Sequence, residues 1–297
     1  MDRLEAMQCF VRVAELGSFA AVAQQQGVAR SVVTRQIAAL EKALGCPLMT
    51  RSTRRLHLTV AGAAYLEKCR VILNLVEAAE GDLAAEGRMP RGAIRVSLPL
   101  SFGLRKMVPW LLDFARRYPA VDLDLVFSDR RQHMIEEGID LAVRITRQLA
   151  PGDVARQLGV SQMKLVASPD YLNCHGRPRV PADLPQHRYL AYSVSEGSSL
   201  TFLVDGQAQT VVLRSQFSAN HGEVLMEAAT QGMGLTCHPD FIVDPYLADG
   251  RVEQVLPGCP LPTLGIYVLL PGNRLIPHRV RVLKDELVAY FAGQTVF

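Results

Sequence analysis

The sequence lacks any stretch able to span a bilayer and any leader of the export type. Its longest uncharged run, Gln254 to Asn273, is broken by Pro257, Pro260, Pro262 and Pro271. Its first residues carry Asp2, Arg3, Glu5, Arg12 and Glu15, where a signal peptide needs an apolar core. A cytoplasmic protein without membrane contact is expected. The six cysteines, at positions 9, 46, 69, 174, 237 and 259, form no Cys-x-x-Cys pair, so they read as small core residues or free thiols. Cys174-His175 and Cys237-His238 are adjacent pairs without chelating spacing, and neither a metal nor a cofactor is expected. Catalytic patterns are also missing: there is no Gly-x-Ser-x-Gly elbow, no Gly-x-x-x-x-Gly-Lys loop and no His-Glu-x-x-His. His221-Gly222-Glu223 has the His-x-Glu form of a deaminase, but no Pro-Cys-x-x-Cys follows it. Asp122 and Asp124 alternate along an expected strand and read as solvated edge charges. These absences exclude an enzyme. No internal repeat or low-complexity tract is present.

What the chain does have is size and an uneven distribution of charge. At 297 residues and 49% apolar it is long enough for about two domains with real cores. The net charge of +3 excludes an indiscriminate polycation. Residues 1–60, however, hold eight basic residues against four acids, most of the bases between Arg30 and Arg55. Residues 61–88 are net acidic and the remainder is close to neutral. A small basic module on a neutral body is the footprint of a nucleic-acid-binding head.

The head has helical periodicity throughout. Leu4, Met7, Phe10, Val11, Val13 and Ala14 recur at helical spacing until Gly17. Ser18 is a good N-cap for a second helix, Phe19 to Gln25, and Gln26-Gly27-Val28 forms a tight turn. A third helix spans about Arg30 to Leu44, with Val33, Ile37, Leu40 and Leu44 as its buried stripe and Gly45 and Pro47 ending it. Two helices joined by a glycine turn, the second opening on Arg and small polar residues, make a helix-turn-helix. The segment from Leu48 to Leu58 reads as two short strands around a basic Ser52–Arg55 turn, a wing. Thr59 caps a long helix to about Glu86. On it Leu66, Cys69, Leu73, Val76, Glu80 and Leu83 fall at a/d spacing, and this narrow stripe implies a partner helix and hence a dimer.

A break at Met89–Gly92 opens a second domain. Strands are expected at Ala93–Leu98, Val121–Ser128 and Leu141–Ile145, with helices at Gly103–Tyr118 and Met134–Glu137 between them. That βαβαβ order calls for a parallel sheet flanked by helices. Further strands are expected near 162–168, 189–192, 200–204, 210–214, 234–238 and 264–270. A short helix follows Ser168, a loop covers Arg177–Pro185, and helices run from about Asn220 to Gln231 and from Val280 to Phe291.

The stretches SFAAVAQQQGVARSVVTRQIAALEKALGCPLMTR and RSTRRLHLTVAG resemble the winged helix-turn-helix and linker helix of LysR-type transcriptional regulators. In the second stretch Arg51, Arg54, Leu58-Thr59 and Ala61-Gly62 fit that family's wing and linker start. GAIRVSLPLSFG, FARRYPAVDL, EEGIDLAVRIT, LVASPDYL and QGMGLTCHPDF are similar to its effector-binding domain. The resemblance covers the whole chain and implies an α/β fold class. An all-α winged helix-turn-helix (1–58) and a linker and dimerisation helix (59–90) precede a two-lobed domain of the periplasmic-binding-protein type (91–297). Its lobe I would comprise about 91–161 and 265–297, and lobe II about 162–264, with crossings near Gly159–Met163 and Pro262–Ile266. Three positions depart from the family pattern. Ala29 replaces the usual N-cap, Arg30 stands where Gln or another polar residue is common, and Cys237-His238 replaces an apolar pair.

Function follows from these placements. Arg30, Ser31, Thr34 and Arg35 occupy the amino-terminal face of the third helix and match the family's DNA-contacting positions, where they would reach base edges or phosphate in the major groove. Arg51, Arg54 and Arg55 suit phosphate or minor-groove contacts from the wing. A two-fold homodimer would place two heads on a palindromic site, and the family usually assembles as a homotetramer. RNA polymerase is an open partner at such a promoter. The effector, expected to be a small carboxylate, would sit between the lobes. There helix N-termini at Leu100–Gly103 and Ala219–His221 would offer free amides to an anion. Ser101, Phe102, Ser128, Thr146, Phe202 and Asn220 are the expected lining, and Arg144 would add charge. A transport-type binding protein has the same two-lobed body, but it needs an export signal and no basic head.

Overall fold

The computed structural model describes residues 2–51, 56–81, 89–194, 198–204, 206–272 and 276–292. The chain divides into two compact units. One comprises Met1–Met89, His133–Ile139 and Asn273–Arg281; the other comprises Pro90–Gln132, Asp140–Gly272 and Val282–Phe297.

In the first unit, helix α1 (Arg3–Leu16) starts on Asp2, whose carboxylate accepts from the Leu4 amide at 2.9 Å, and stops at Gly17 in the left-handed region. Helix α2 (Phe19–Gln26) is capped by the Ser18 hydroxyl, which accepts from the Ala21 amide at 3.3 Å. Gly27, at φ +67°, turns the chain into helix α3 (Arg30–Leu44). Positive φ is cheap only for glycine, so the turn is fixed by that residue. Helix α3 has the expected bounds, and Ala29 gives it no side-chain cap. Strands β1 (Met49–Arg51) and β2 (Leu56–Leu58) pair antiparallel, Thr50 opposite His57. The expected tip of this wing, Ser52–Arg55, lies outside the described residues.

Helix α4 (Val60–Gly81) follows, with Thr59 Oγ1 accepting from the Gly62 amide at 2.9 Å and donating to the Pro47 carbonyl at 2.8 Å. This first turn lies so close to β1 that a Cβ on Gly62 would overlap the Leu48 carbonyl. The a/d stripe expected to need a partner helix is explained otherwise along its first half. Leu66 and Cys69 are buried in one core with Phe10, Val13, Val33, Ile37 and Leu40, and Leu73 and Tyr65 pack against that core. The linker helix therefore covers its own head through these residues, and the stripe is not by itself a dimer signal. Leu83 and the side chain of Glu80 lie outside the described residues.

The second unit is built on a five-stranded mixed sheet in the order β4-β3-β5-β14-β6. Its strands are β3 (Gly92–Leu98), β4 (Val121–Phe127), β5 (Leu141–Thr146) and β6 (Val154–Ser161), with β14 (Leu264–Leu270) returning from far along the chain. Strand β3 pairs parallel to β4 and β5, but β14 runs antiparallel to both β5 and β6. The three strands expected to be parallel, β3, β4 and β5, are so, and only the late strand β14 runs the opposite way. Helix α5 (Leu100–Phe102) continues through a π-helical turn (Gly103–Met107) into helix α6 (Val108–Arg117). Trp110, Leu111 and Phe114 of α6 are buried, as are Leu283, Leu287 and Phe291 of helix α10 (His278–Phe291). The expected helix at Met134–Glu137 is a turn.

After β6 the chain leaves this sheet at Gln162 and enters a second group of strands. Strand β7 (Met163–Ala167) lies between β12 (Thr236–Pro239) and β13 (Glu253–Gln254); β8 (Tyr189–Tyr192) pairs with β11 (Ser215–Ala219); β9 (Ser199–Val204) pairs with β10 (Gln207–Val212). Helix α7 (Pro169–His175) is capped by Ser168. Pro181–Gln186 form a 3-10 turn inside the expected loop, and α8 (Gly222–Thr230) and α9 (Asp240–Ala248) complete the group. The exit at Gln162 is pinned by Asp240, a buried carboxylate. It accepts from the Ser161 hydroxyl, from the Gln162 amide at 3.0 Å and from the Phe241 amide at 2.9 Å. A buried carboxylate is stable only when its lone pairs are filled in this way.

Candidate nucleic-acid interface and effector site

Burying Val33, Ile37 and Leu40 fixes the rotation of α3, and helical spacing then determines what faces solvent. Arg30, Ser31 and Arg35 are exposed and Thr34 is half-buried beside them. Among the described residues none of these four side chains has a hydrogen bond or ion pair, so two guanidinium groups and two hydroxyls stand unspent on one surface. Ala38, one turn on, is exposed and small, which keeps that surface open. The sequence reading passed over Glu41. Its Oε1 accepts from the Leu48 amide at 2.8 Å and the Met49 amide at 3.1 Å, fastening α3 to the start of the wing. An acid inside a basic module was the only available signal. Thr50 and His57, paired across the wing strands and both exposed, were also passed over. Arg54 and Arg55 lie outside the described residues, as does the side chain of Arg51.

In the second unit the segment after β3 meets α8 and α9 of the second strand group. Both expected helix N-termini already have side-chain partners from the chain itself, an acid at the first and a histidine at the second. The Leu100 amide donates to Asp129 Oδ1 at 2.9 Å, and Asp129 Oδ2 accepts from the Tyr192 hydroxyl at 2.6 Å. At α8 the cap is His221 rather than Asn220: its Nδ1 accepts from the Glu223 amide at 3.3 Å, while Asn220 is exposed. Glu223, in the first turn of α8, is held bidentately by Arg105. The guanidinium Nε lies 2.9 Å from Oε1 and the second contact is 2.8 Å to Oε2. Tyr246 of α9 donates to the same carboxylate at 3.3 Å, and the Ser101 hydroxyl lies near enough to help keep it charged. Burial raises the affinity of Glu223 for a proton, but the hydrogen bonds and charge of Arg105, helped by Tyr246 and Ser101, outweigh it, so the group stays below the ordinary carboxylate range.

His238 closes this region from β12. Its ring is buried, contacts Tyr192 edge to face at 6.0 Å between centroids, and its Nε2 lies 2.9 Å from Thr236 Oγ1. Burial pushes its pKa down to about 4, against a weaker opposing pull from Glu223. The neighbouring Cys237 thiol is pushed up to about 12 by burial and is therefore protonated at neutral pH.

Of the expected lining, Ser101 belongs to this cluster, and Ser128 adjoins it in sequence, its Oγ accepting from the Arg130 amide at 3.2 Å. Two of the expected residues are deeply buried. Phe102 is fully buried between Phe241 and Phe291, with centroids at 5.2 and 6.3 Å, and Phe202 is fully buried in the core formed by Leu172, Leu184, Leu235 and Cys237. Both rings are packed among apolar side chains. Arg144 donates to the Val143 carbonyl, to Ser97 Oγ and to Gln132 Oε1, each at 2.9 Å, in a separate polar group. The Thr146 hydroxyl turns back on Gln148 at 2.8 Å. No group of three or more metal-ligating side chains occurs among the described residues, and no described helix is long and apolar enough to cross a membrane.

A three-helix head with a paired-strand wing, joined in one chain to an α/β domain of two strand groups, is the build of a ligand-responsive DNA-binding regulator. The chain belongs to the LysR family of transcriptional regulators. Residues 4–63 match the bacterial regulatory helix-turn-helix protein, lysR family, and residues 87–292 match the LysR substrate binding domain. It is 34% identical over 288 residues to the HTH-type transcriptional regulator CrgA of Neisseria meningitidis, covering 96% of this chain and 95% of that protein. It is 28% identical to the HTH-type transcriptional activator AaeR of Escherichia coli, covering 98% and 94%. The solved structure of CrgA superposes with a TM-score of 0.61 at 33% identity, covering 97% of this chain and 98% of that one. The full-length structure of AphB, a Vibrio cholerae virulence activator, gives 0.61 at 28% identity, covering 97% and 99%.

Proposed function

We propose that α3 reads operator DNA through Arg30, Ser31, Thr34 and Arg35, with Arg51, Arg54 and Arg55 of the wing on the flanking backbone, and that a small carboxylate regulates this binding from the crevice between the two strand groups. The observation that carries the DNA reading is the outer face of α3, where four polar side chains have no partner among the described residues and lie beside a buried stripe that fixes their direction. An Arg can bridge guanine O6 and N7, and Ser and Thr can donate, accept or touch a thymine methyl. The head occupies residues 1–58, the linker 59–90 and the effector-binding domain 91–297. A homodimer, or a homotetramer built from it, presents two such faces to a palindrome. Arg35→Ala is expected to weaken operator binding by about 1–3 kcal/mol with an unchanged circular dichroism spectrum; a gel-shift titration with wild-type affinity rejects the assignment.

The carboxylate reading is supported by Ser101, Arg105 and the Leu100 amide, donors that all face carboxylates already. Calorimetric titration of the full chain with small organic acids, repeated on Ser101→Ala, tests it. Binding that survives the substitution unchanged, or no acid bound at all, removes it.

A further inference from the structure

We propose that Ser101, Arg105 and Tyr246 form a carboxylate-binding subsite of the effector crevice and that Glu223 is its resident internal competitor. The inference rests on the carboxylate reading above and goes beyond it by naming the donor set and the group a ligand must displace. Arg105 comes from the π-helical turn after β3, Ser101 from the same segment, Tyr246 from α9 and Glu223 from α8. Two elements, one from each strand group, therefore converge on the carboxylate that α8 carries. Arg105 supplies two fork contacts at 2.9 and 2.8 Å, Tyr246 a hydroxyl at 3.3 Å and Ser101 a buried hydroxyl. A planar guanidinium paired in this manner selects a carboxylate by shape as well as charge.

Two features distinguish this cluster from an ion pair that only ties helices together. First, an ion pair needs one cation and one anion, whereas this carboxylate also accepts from the Tyr246 hydroxyl and has the Ser101 hydroxyl beside it. Second, the pair is reachable: the Arg105 and Glu223 side chains keep 30% and 26% of their exposure, enough for a small molecule to compete from solvent. Glu223 sits on the first turn of its helix, so rotation about its own side-chain bonds can withdraw it without unwinding α8. A ligand acid that takes its place severs the tie between α8 and the segment after β3. Binding at this point is thereby coupled to the relative placement of the two strand groups.

The test is refilling of the vacated subsite. Glu223→Ala removes the CH2–COO− fragment that acetate reproduces. In the full-length Glu223→Ala protein, acetate at constant ionic strength is expected to raise the melting temperature saturably, by about 3–5 °C. Acetamide, the neutral isostere, is expected to have no such effect, and wild-type protein is expected to shift by less than about 1 °C, because Glu223 already fills the subsite. The double variant Arg105→Gln/Glu223→Ala is expected to lose the acetate response. If Glu223→Ala does not fold, Glu223→Gln replaces it, with an acetate-specific shift larger than that of the wild type as the expected result. An acetate response no larger than that of acetamide overturns the inference, and so does a response equal to the wild type's or one that survives loss of Arg105. The acid screen on wild-type protein reads independently. An acid that binds there while acetate fails on Glu223→Ala leaves the effector reading standing and removes this subsite; the reverse result removes the effector reading alone.

Discussion

His238 shows how a single buried side chain makes this fold respond to pH. Its folded pKa of about 4 lies below the ordinary value of 6.5, so the fold favours the neutral ring. Below pH 6.5 the unfolded chain binds a proton that the folded chain does not, and stability falls until the pH reaches about 4. The full shift corresponds to up to about 3 kcal/mol. Urea titrations of wild type and His238→Gln at pH 7, 5.5 and 4 measure it: the stability of the wild type relative to the variant is expected to drop steadily across that range. A constant difference refutes the account. The sequence showed that Cys237-His238 was unusual but could not show why, because burial at β12 depends on strands far apart in the chain. The same blindness hid Asp129 and Glu223. Their partners Tyr192 and Arg105 are 63 and 118 residues away, and no local pattern announces such a pair. The burial of Phe102 in α5 and of Phe202 in β9 was hidden for a related reason, since an apolar ring on either element reads equally well as a crevice wall or as core.

Among the elements, α3 was readable to its exact ends because its boundaries are chemical: a glycine turn before it, Gly45 and Pro47 after it, and an apolar stripe between. What it lacks is a cap. The Ala29 carbonyl accepts from the Val32 amide at 2.9 Å, but its side chain offers no acceptor to the other first-turn amides. Ala29→Ser is expected to add about 1 kcal/mol to the stability of the head, measurable as a rise in the thermal midpoint; an unchanged midpoint means that solvent already satisfies those amides. Helix α9 was missed because Pro239 and Pro245 read as breakers, although one precedes its first residue and the other lies within it. Strands β6 and β11 escaped because their burial patterns are irregular rather than alternating. The linker helix was read as seeking a partner because its apolar stripe was visible while the face of α1 that meets it was not.

For the whole molecule, a net charge near zero conceals a concentrated basic head, and salt separates the two. Affinity for operator DNA is expected to fall by about tenfold or more between about 50 and 200 mM salt, as counterions displaced from the phosphates become harder to release. Anisotropy titrations at several salt concentrations measure this, and a flat profile is incompatible with a phosphate-gripping head. The division into head and body was readable because charge and periodicity change near residue 90, whereas a change of strand group near residue 162 was expected from the family resemblance alone. The direction of β14 was not readable, since strand polarity within a sheet leaves no mark on composition.

That late strand has a consequence for how the protein is made. Strand β14 lies between β5 and β6, so the large sheet lacks its fourth strand until residue 270 has been synthesised. The helix-turn-helix head can collapse while translation continues, because its core residues all fall within the first 73 positions. The sheet cannot. On the ribosome β5 and β6 wait, with open hydrogen-bonding edges, through more than a hundred further residues, a vectorial delay that makes this nascent chain a natural client for chaperones.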